Sequence, residues 1–529
     1  MSSALARVCS AVIALVACAA IGSRCDAELR FEVAFGSSTR SEPASGRLVV
    51  LLQREGADLP KGTKPIEGPF WDDPQPVYGI DVTDAKPGET LVVDDRATAF
   101  LGRSPSTLPP GKYLAQAVLN TGHKQVSSWR RADGSLYTAE PVAFKIDDGK
   151  GAPQVVKIGL DAVNHVVAPE PTPGVELVEV RSELLSKFHG HDVTMRAGVV
   201  LPEGYDANGT ATYAAIYEVP GFGGDHRGAI GKAKRLGNSD ESTAERALWK
   251  RAFWIVLDPE SPNGHTLFAD SANNGPRGEA LVKELIPALE AKYRLKPAAS
   301  HRLLRGHSSG GWSTIWLAIT YSQTFGACWS TSPDPVSFER FQLINLYTDD
   351  NAFTDAKGVE RPSIRRAGKR AMTVREESGA EDIVGPDNTS GGQWDSWQAV
   401  ICPKNASGNP AGLWEPATGK IDRAVVEASA KYDVVRLLKA NQGVLGPIFK
   451  QRIRIAVGDQ DNFFLEEAVG ILKTEVDKLS FLALPEGDHG YTVIVPGVDH
   501  GSIFGTPLLR GFSKEMIDHL DRAESEAAK

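Results

Sequence analysis

Arg302-Leu303-Leu304-Arg305-Gly306-His307-Ser308-Ser309-Gly310-Gly311-Trp312 is the stretch on which the reading of this chain turns. Arg302–Arg305 reads as a short strand, and a helical stretch carrying Trp312, Ile315, Trp316 and Ile319 follows. Between them Gly306 to Gly310 spells Gly-x-Ser-x-Gly. In that pattern the serine sits on a strained turn from strand to helix with its Oγ projecting. The glycines let neighbouring backbone come close. With Gly at 52 of 529 positions, about 0.4 such matches are expected by chance, so the pattern alone is weak. The strand before it and the helix after it make Ser308 a candidate nucleophile rather than a solvated serine in a Gly-rich turn.

Working outward from Ser308, apolar runs of strand length recur at Ala197–Leu201, Tyr213–Val219, Ala252–Asp258, Ala327–Ser330, Arg452–Val457 and Tyr491–Val495. They alternate with helical stretches at Glu279–Tyr293, Arg423–Lys439, Leu465–Leu479 and Leu509–Ala523. In the first of these Leu281, Val282, Leu285, Ile286, Leu289 and Tyr293 fall on one face. The alternation predicts an α/β sheet with helices on both faces across 175–529. Residues 334–422 break the rhythm. They are rich in Gly, Pro, Asn and Asp, and read as an inserted lid, cap or surface excursion.

A serine needs a base, and an α/β-hydrolase supplies a carboxylate and then a histidine later in the chain. The strand Arg452–Val457 runs into Gly458-Asp459-Gln460-Asp461-Asn462. A carboxylate past that strand tip suits the orienting role; Asp461 is the first candidate and Asp459 the second. The strand Tyr491–Val495 runs into Pro496-Gly497-Val498-Asp499-His500. His500 stands where a general base belongs. His489 precedes the same strand, which would place it at the opposite edge of the sheet. Pro220-Gly221-Phe222-Gly223-Gly224 follows Tyr213–Val219 and suits an oxyanion loop, with the backbone N–H groups of Phe222 and Ser309 as donors. His226 and His265 lie in loops that could reach the site. Trp394 and Trp397 read either as a platform for an acyl group or sugar, or as core of the insertion. His189-Gly190-His191 lacks a third metal ligand at suggestive spacing. No metal or organic cofactor is expected.

These segments resemble the "Putative esterase" family of α/β-hydrolases, which includes esterase D, enterochelin esterases and feruloyl esterases. The matching residues are Glu284-Leu285-Ile286-Pro287 with Tyr293-Arg294, Gly306–Gly311, Phe325-Gly326-Ala327 and Ser332-Pro333-Asp334. The resemblance covers roughly 190–333 and 450–522. It implies Ser308 as nucleophile, Asp461 as acid and His500 as base, acting on a small-molecule, siderophore-like or polysaccharide-linked ester. Two departures stand out. Pro220-Gly221 replaces the His-Gly common at the oxyanion loop, and the insertion is long. An acyltransferase or a serine peptidase would use the same triad, and an inactive binding protein would keep the same fold.

Ahead of the hydrolase, residues 28–167 alternate apolar and polar in short runs such as Leu29–Ala34, Gly46–Gln53, Thr90–Asp94, Lys112–Leu119 and Ala139–Ile146. Turn residues separate them, which predicts an all-β, sandwich-like domain. Ala168-Pro169-Glu170-Pro171-Thr172-Pro173-Gly174 reads as a stiff linker. Residues 1–27 combine Arg7, an apolar core from Val8 to Gly22 and small residues after it, the pattern of a secretory signal peptide. The protein is therefore expected to be secreted or periplasmic. Leu15-Val16-Ala17-Cys18 also resembles a lipobox, which would anchor the chain by a lipid on Cys18. Of five cysteines, Cys9, Cys18 and Cys25 lie at that end; Cys328 and Cys402 either pair or sit as buried thiols. Asn208, Asn388 and Asn405 fit the glycosylation pattern, relevant only to a eukaryotic route. The net charge of −9, without a Lys/Arg stripe, argues against nucleic acid as a partner, and no other stretch is long and apolar enough to span a membrane.

Overall fold

The central strands Ala214–Val219 and Ala252–Leu257 are apolar along nearly their whole length because both of their faces are covered. The structure, a computed structural model, describes residues 29–69, 73–147, 154–366, 369–479 and 487–529. The expected signal segment, with Cys9, Cys18 and Cys25, lies outside them.

Eight strands build the hydrolase sheet: β1 Val175–Arg181, β2 Thr194–Val200, β3 Ala214–Val219, β4 Ala252–Leu257, β5 Arg302–His307, β6 Ala327–Thr331, β7 Ile453–Gly458 and β8 Tyr491–Val495. Their spatial order is β1-β2-β4-β3-β5-β6-β7-β8. β1 and β2 are antiparallel to their neighbours; from β4 to β8 every pairing is parallel. That order and sense make an α/β-hydrolase fold. Alternate strand residues serve opposite faces. Tyr217, Phe253, Leu304 and Ile455 pack with α1 (Ser309–Thr320), whereas Ile216, Trp254, Leu303, Trp329 and Ala456 pack with the C-terminal helix Pro507–Ala527.

The expected excursion at 334–422 is corrected by the structure. Its apolar residues Phe338, Phe341, Leu346, Phe353, Trp394, Leu413 and Trp414 are buried in the same core as β5 and α1. Two of its helices matter below: α2 Val374–Val384, started by a Thr373/Glu376 capping box, and α3 Gln393–Ile401. The expected helix Arg423–Lys439 is broken in two. Asp433 caps a new start at Val434, its Oδ1 accepting the Arg436 N–H at 2.9 Å. Cys328 and Cys402 are both buried free thiols, so the pairing alternative falls.

Between Leu29 and Val163 the chain forms two sheets. Leu29–Phe35 lies between Leu91–Val93 and Gln154–Leu160, and a seven-stranded sheet is built around Ala44–Arg54 and Gly111–Asn120. Phe31 and Val33 from the smaller sheet share a core with Leu48, Val50, Tyr78 and Leu119 from the larger. The other face of the larger sheet carries Val49, Leu51, Val77 and Val118, and it is covered by Ala380 and Ile383 of α2. Arg47, 2% exposed, donates from Nε to the Ile383 carbonyl at 2.8 Å and pairs with Asp81 at 3.2 Å. Residues 164–172 contain no helix or strand. Among the described residues no helix is long and apolar enough to cross a membrane.

Candidate active site

Each loop that reaches Ser308 leaves the C-terminal end of a parallel strand, where the crevice of an open α/β sheet lies. β5 delivers Ser308 at φ +59°, ψ −126°, a backbone region that a non-glycine residue occupies only under constraint. The constraint is close packing. A Cβ on Gly310 would stand 2.0 Å from the Val219 carbonyl, so only glycine lets α1 start against β3. A Cβ on Gly221 would stand 3.3 Å from the Ser308 Cβ, which places the loop after β3 directly over the serine.

That loop is pinned from two sides. His265 is 1% exposed; its Nε2–H donates to the Pro220 carbonyl at 3.0 Å and its Nδ1 accepts the Leu267 N–H at 3.1 Å. Burial pulls its pKa down to about 4, so it is a neutral brace and not a group that reaches substrate. Arg131, from the N-terminal sheets, donates to the Gly223 carbonyl at 3.0 Å and pairs with Asp225 at 3.2 Å. The backbone N–H groups of Phe222 and Ser309 donate to no protein acceptor among the described residues.

The loops after β7 and β8 bring Asp461 and His500 together. His500 Nδ1 lies 2.7 Å from Asp461 Oδ2. Asp461 is fully buried, and its Oδ1 accepts the Phe463 N–H at 2.9 Å. The His500 ring packs between Phe463 and His307, at ring-centroid distances of 4.8 and 4.4 Å. Burial, with His500 beside it, holds His307 neutral, its pKa down at about 3. Arg365 from the insertion braces the acid loop, donating to the Asp461 carbonyl at 2.9 Å and the Asp459 carbonyl at 3.3 Å. The two second candidates lie elsewhere. Asp459 Oδ1 accepts the Gly497 N–H at 2.7 Å, closing a turn. His489 precedes β8, next to Asp488, which is engaged by Arg454 and His519.

A residue whose chemistry sequence reading passed over sits against Ser308. Asp334, after β6, is 5% exposed. Its Oδ1 accepts the Ser308 hydroxyl at 3.4 Å. Its Oδ2 accepts Ser309 Oγ at 2.5 Å, Trp397 Nε1 at 2.8 Å and Gln393 Nε2 at 3.3 Å. Burial raises its pKa, and those donors oppose the rise. The signal was available: Asp334 closely follows a parallel strand, as Ser308, Asp461 and His500 do.

Of the two readings of Trp394 and Trp397, the structure takes the core one, and it places His226 away from Ser308. Trp394 and Trp397 are 3% and 2% exposed; Trp394 packs on Phe341 and Trp414, Trp397 on Trp312 and Phe341. Neither offers a free face, because the insertion uses them as core. His226 turns to Asp258, Nδ1 to Oδ2 2.8 Å, and lines a different cavity. The cleft beside Phe222 has a volume of about 550 Å³ and is walled by three parts of the chain. Gly68, Pro69 and Arg130 come from the N-terminal sheets, Phe222 and Gly223 from the hydrolase loop, and Met372, Ala380 and Gln393 from the insertion.

Residues 191–504, more than half of the chain, match the family model Esterase, described as "Putative esterase". The chain belongs to this esterase family. It is a carboxylic-ester hydrolase. Comparison with curated protein sequences found no match. Among solved structures the esterase is similar to the substrate-bound fluorophosphonate-binding serine hydrolase F of Staphylococcus aureus. The identity is 14% and the TM-score 0.36, with 65% of this chain and 98% of that one covered. It is also similar to a ferulic acid esterase, at 13% identity and TM-score 0.36 over 65% and 98% of the two chains. A third is S-formylglutathione hydrolase of Staphylococcus aureus, at 14% and 0.34 over 65% and 99%.

Proposed function

We propose that this esterase cleaves a small-molecule carboxylic ester through an acyl-enzyme on Ser308, with His500 as general base and Asp461 as its orienting acid. The observation that carries the reading is the 2.7 Å contact of Asp461 with His500 Nδ1, beside a serine held at φ +59°. Asp461 holds the proton on Nδ1, which leaves Nε2 to accept one. The Ser308 hydroxyl turns from Asp334 toward His500, loses its proton and attacks the ester carbonyl. The oxyanion forms under the Phe222 and Ser309 N–H groups, each such donor contributing about 3 kcal/mol in the transition state. His500 protonates the departing alcohol, and water then releases the acid by the same route. The three-walled cleft favours an ester larger than an acetyl group.

Ser308→Ala tests this reading. Turnover of a short-chain aryl ester by the folded variant should fall by at least about 10³-fold, and a fluorophosphonate probe should label only the wild type. Wild-type turnover in the variant would overturn it.

The two N-terminal sheets are read as an all-β, sandwich-like domain over 28–167, joined through 168–174 to the catalytic domain at 175–529. Their shared core supports this. Residues 1–27 are read as an export signal, with lipid attachment at Cys18 as the alternative. N-terminal sequencing of the mature protein separates the two.

A further inference from the structure

The cleft beside Phe222 does not end at the oxyanion loop. Ser127, Arg131, Arg227 and Glu260 line it, and the same four line a second cavity of about 670 Å³, so the two adjoin across these side chains as parts of one interdomain groove. The groove runs between the N-terminal sheets and the hydrolase and passes along Val166–Pro169.

The arginines of the second cavity are matched by carboxylates, with one exception. Arg196 lies 2.8 Å from Glu179, Arg131 lies 3.2 Å from Asp225, and Arg227 also pairs with Asp225. Arg277 is 5% exposed and has no carboxylate oxygen within 4.0 Å of its nitrogens among the described residues. Its Nε donates to the Asn274 carbonyl at 3.3 Å, which fixes the guanidinium plane. The terminal amines have no protein acceptor, yet they are not sealed in; they border the cavity. Asp258 acts on Arg277 at longer range and is already engaged by His226 at 2.8 Å. Burial pulls the Arg277 pKa down to about 10.

A buried guanidinium without a paired anion is an expensive arrangement, and its free planar edge matches a carboxylate or phosphate in two hydrogen bonds. We infer that Arg277 receives an anionic group, a carboxylate or phosphate, carried on the ester substrate away from the scissile bond. This rests on Ser308 being the nucleophile, under the Gly221–Gly223 loop whose Phe222 lines the first cleft. The substrate class is then an elongated ester with an anionic end, lying from Phe222 past Arg131 to Arg277. Arg277 is a specificity residue and takes no part in bond making.

The test uses the full chain and aryl-chromophore esters of stepped length. Each carries either a free carboxylate or its methyl ester, placed on the acyl side in one series and on the alcohol side in another. A phosphonate-ended set shows which anion is preferred. Wild type should favour the anionic ester in kcat/KM at one length in one series. In Arg277→Met that anionic-to-neutral ratio should fall roughly 10- to 100-fold, the range for a charge-assisted hydrogen bond, with Arg277→Lys between. A wild type without preference in either series, or an unchanged ratio in Arg277→Met, overturns the inference. Should Arg277→Met fail to fold, free sebacate should compete with the anionic ester on wild type while dimethyl sebacate does not; no competition by sebacate overturns it. Ser308→Ala reports separately, since loss of all turnover there leaves the nucleophile reading standing whatever Arg277 does.

Discussion

The loops after β6 and β7 each carry a buried aspartate, Asp334 against Ser308 and Asp461 against His500, and they keep it buried by different means. Asp461 faces an imidazole that can become a cation. Asp334 faces only neutral donors: two serine hydroxyls, an indole N–H and an amide. The insertion extends the second pattern. Glu381 accepts the Trp394 and Asp395 N–H groups at 3.0 and 2.9 Å, and Asp395 accepts Ser390 Oγ at 2.6 Å. Burial pushes Glu377 up to about 7 and Asp395 up to about 6, and raises Glu381 well above its usual range. A carboxylate beside a titratable base can stabilise charge that develops during reaction. One buried among neutral donors shapes the pocket; burial resists its ionisation and the donors offset part of that cost.

The largest expected effect isolates the first kind. Asp461→Asn should lower kcat by about 10³- to 10⁴-fold, because the amide no longer holds the His500 tautomer or its charge. Steady-state kinetics on a short aryl ester reads this, and a loss under tenfold would break the distinction from Asp334. Asp334→Asn should cost about tenfold or less at neutral pH. Its ratio to wild-type kcat should rise with pH above the ordinary carboxylate range, because burial raises the Asp334 pKa and only the wild type gains a negative charge there. A flat ratio would mean that Asp334 carries the same charge throughout.

The smallest effect is on stability. Glu377 has a folded pKa near 7, above its ordinary 4.5, and its Oε2 has no partner. The native state therefore holds its proton more tightly than the unfolded chain does, and this contribution is lost as pH rises from about 4.5 through 7. Glu377→Gln stays neutral. Its melting temperature should match wild type near pH 4.5 and exceed it by a few degrees at pH 8. A pH-independent offset would show packing, not charge, at work.

What the sequence made legible follows from local physics. The elbow could be read because the close approach of β3 and β6 to it demands glycine at fixed positions around the serine. The strands of 175–529 could be read because parallel strands covered on both faces become apolar runs. Asp461 and His500 were reachable through strand-end logic. The same logic, applied to β6, would have reached Asp334 in Ser332-Pro333-Asp334. The insertion misled because its polar content resembles loop. Ser390, Gln398, Asn388 and Asp395 are polar and buried, bonded to one another and to backbone, which composition does not reveal. Trp394 and Trp397 were ambiguous for the same reason: an aromatic pair at i, i+3 looks alike whether it faces substrate or core. Arg277 left no sequence signal, since its isolation is defined only by what surrounds it in space.

The contact of Arg47 with the Ile383 carbonyl spans 336 positions of sequence. The ribosome makes the N-terminal sheets first, so Val49, Leu51, Val77 and Val118 emerge long before the helix that covers them. Until residue 383 exists, that sheet has an apolar face and a buried arginine without its acceptor. A chain stopped at the linker would retain both defects and aggregate through that face. The N-terminal sheets are thus finished by a helix of the insertion, and that face stays uncovered until synthesis has passed Val384.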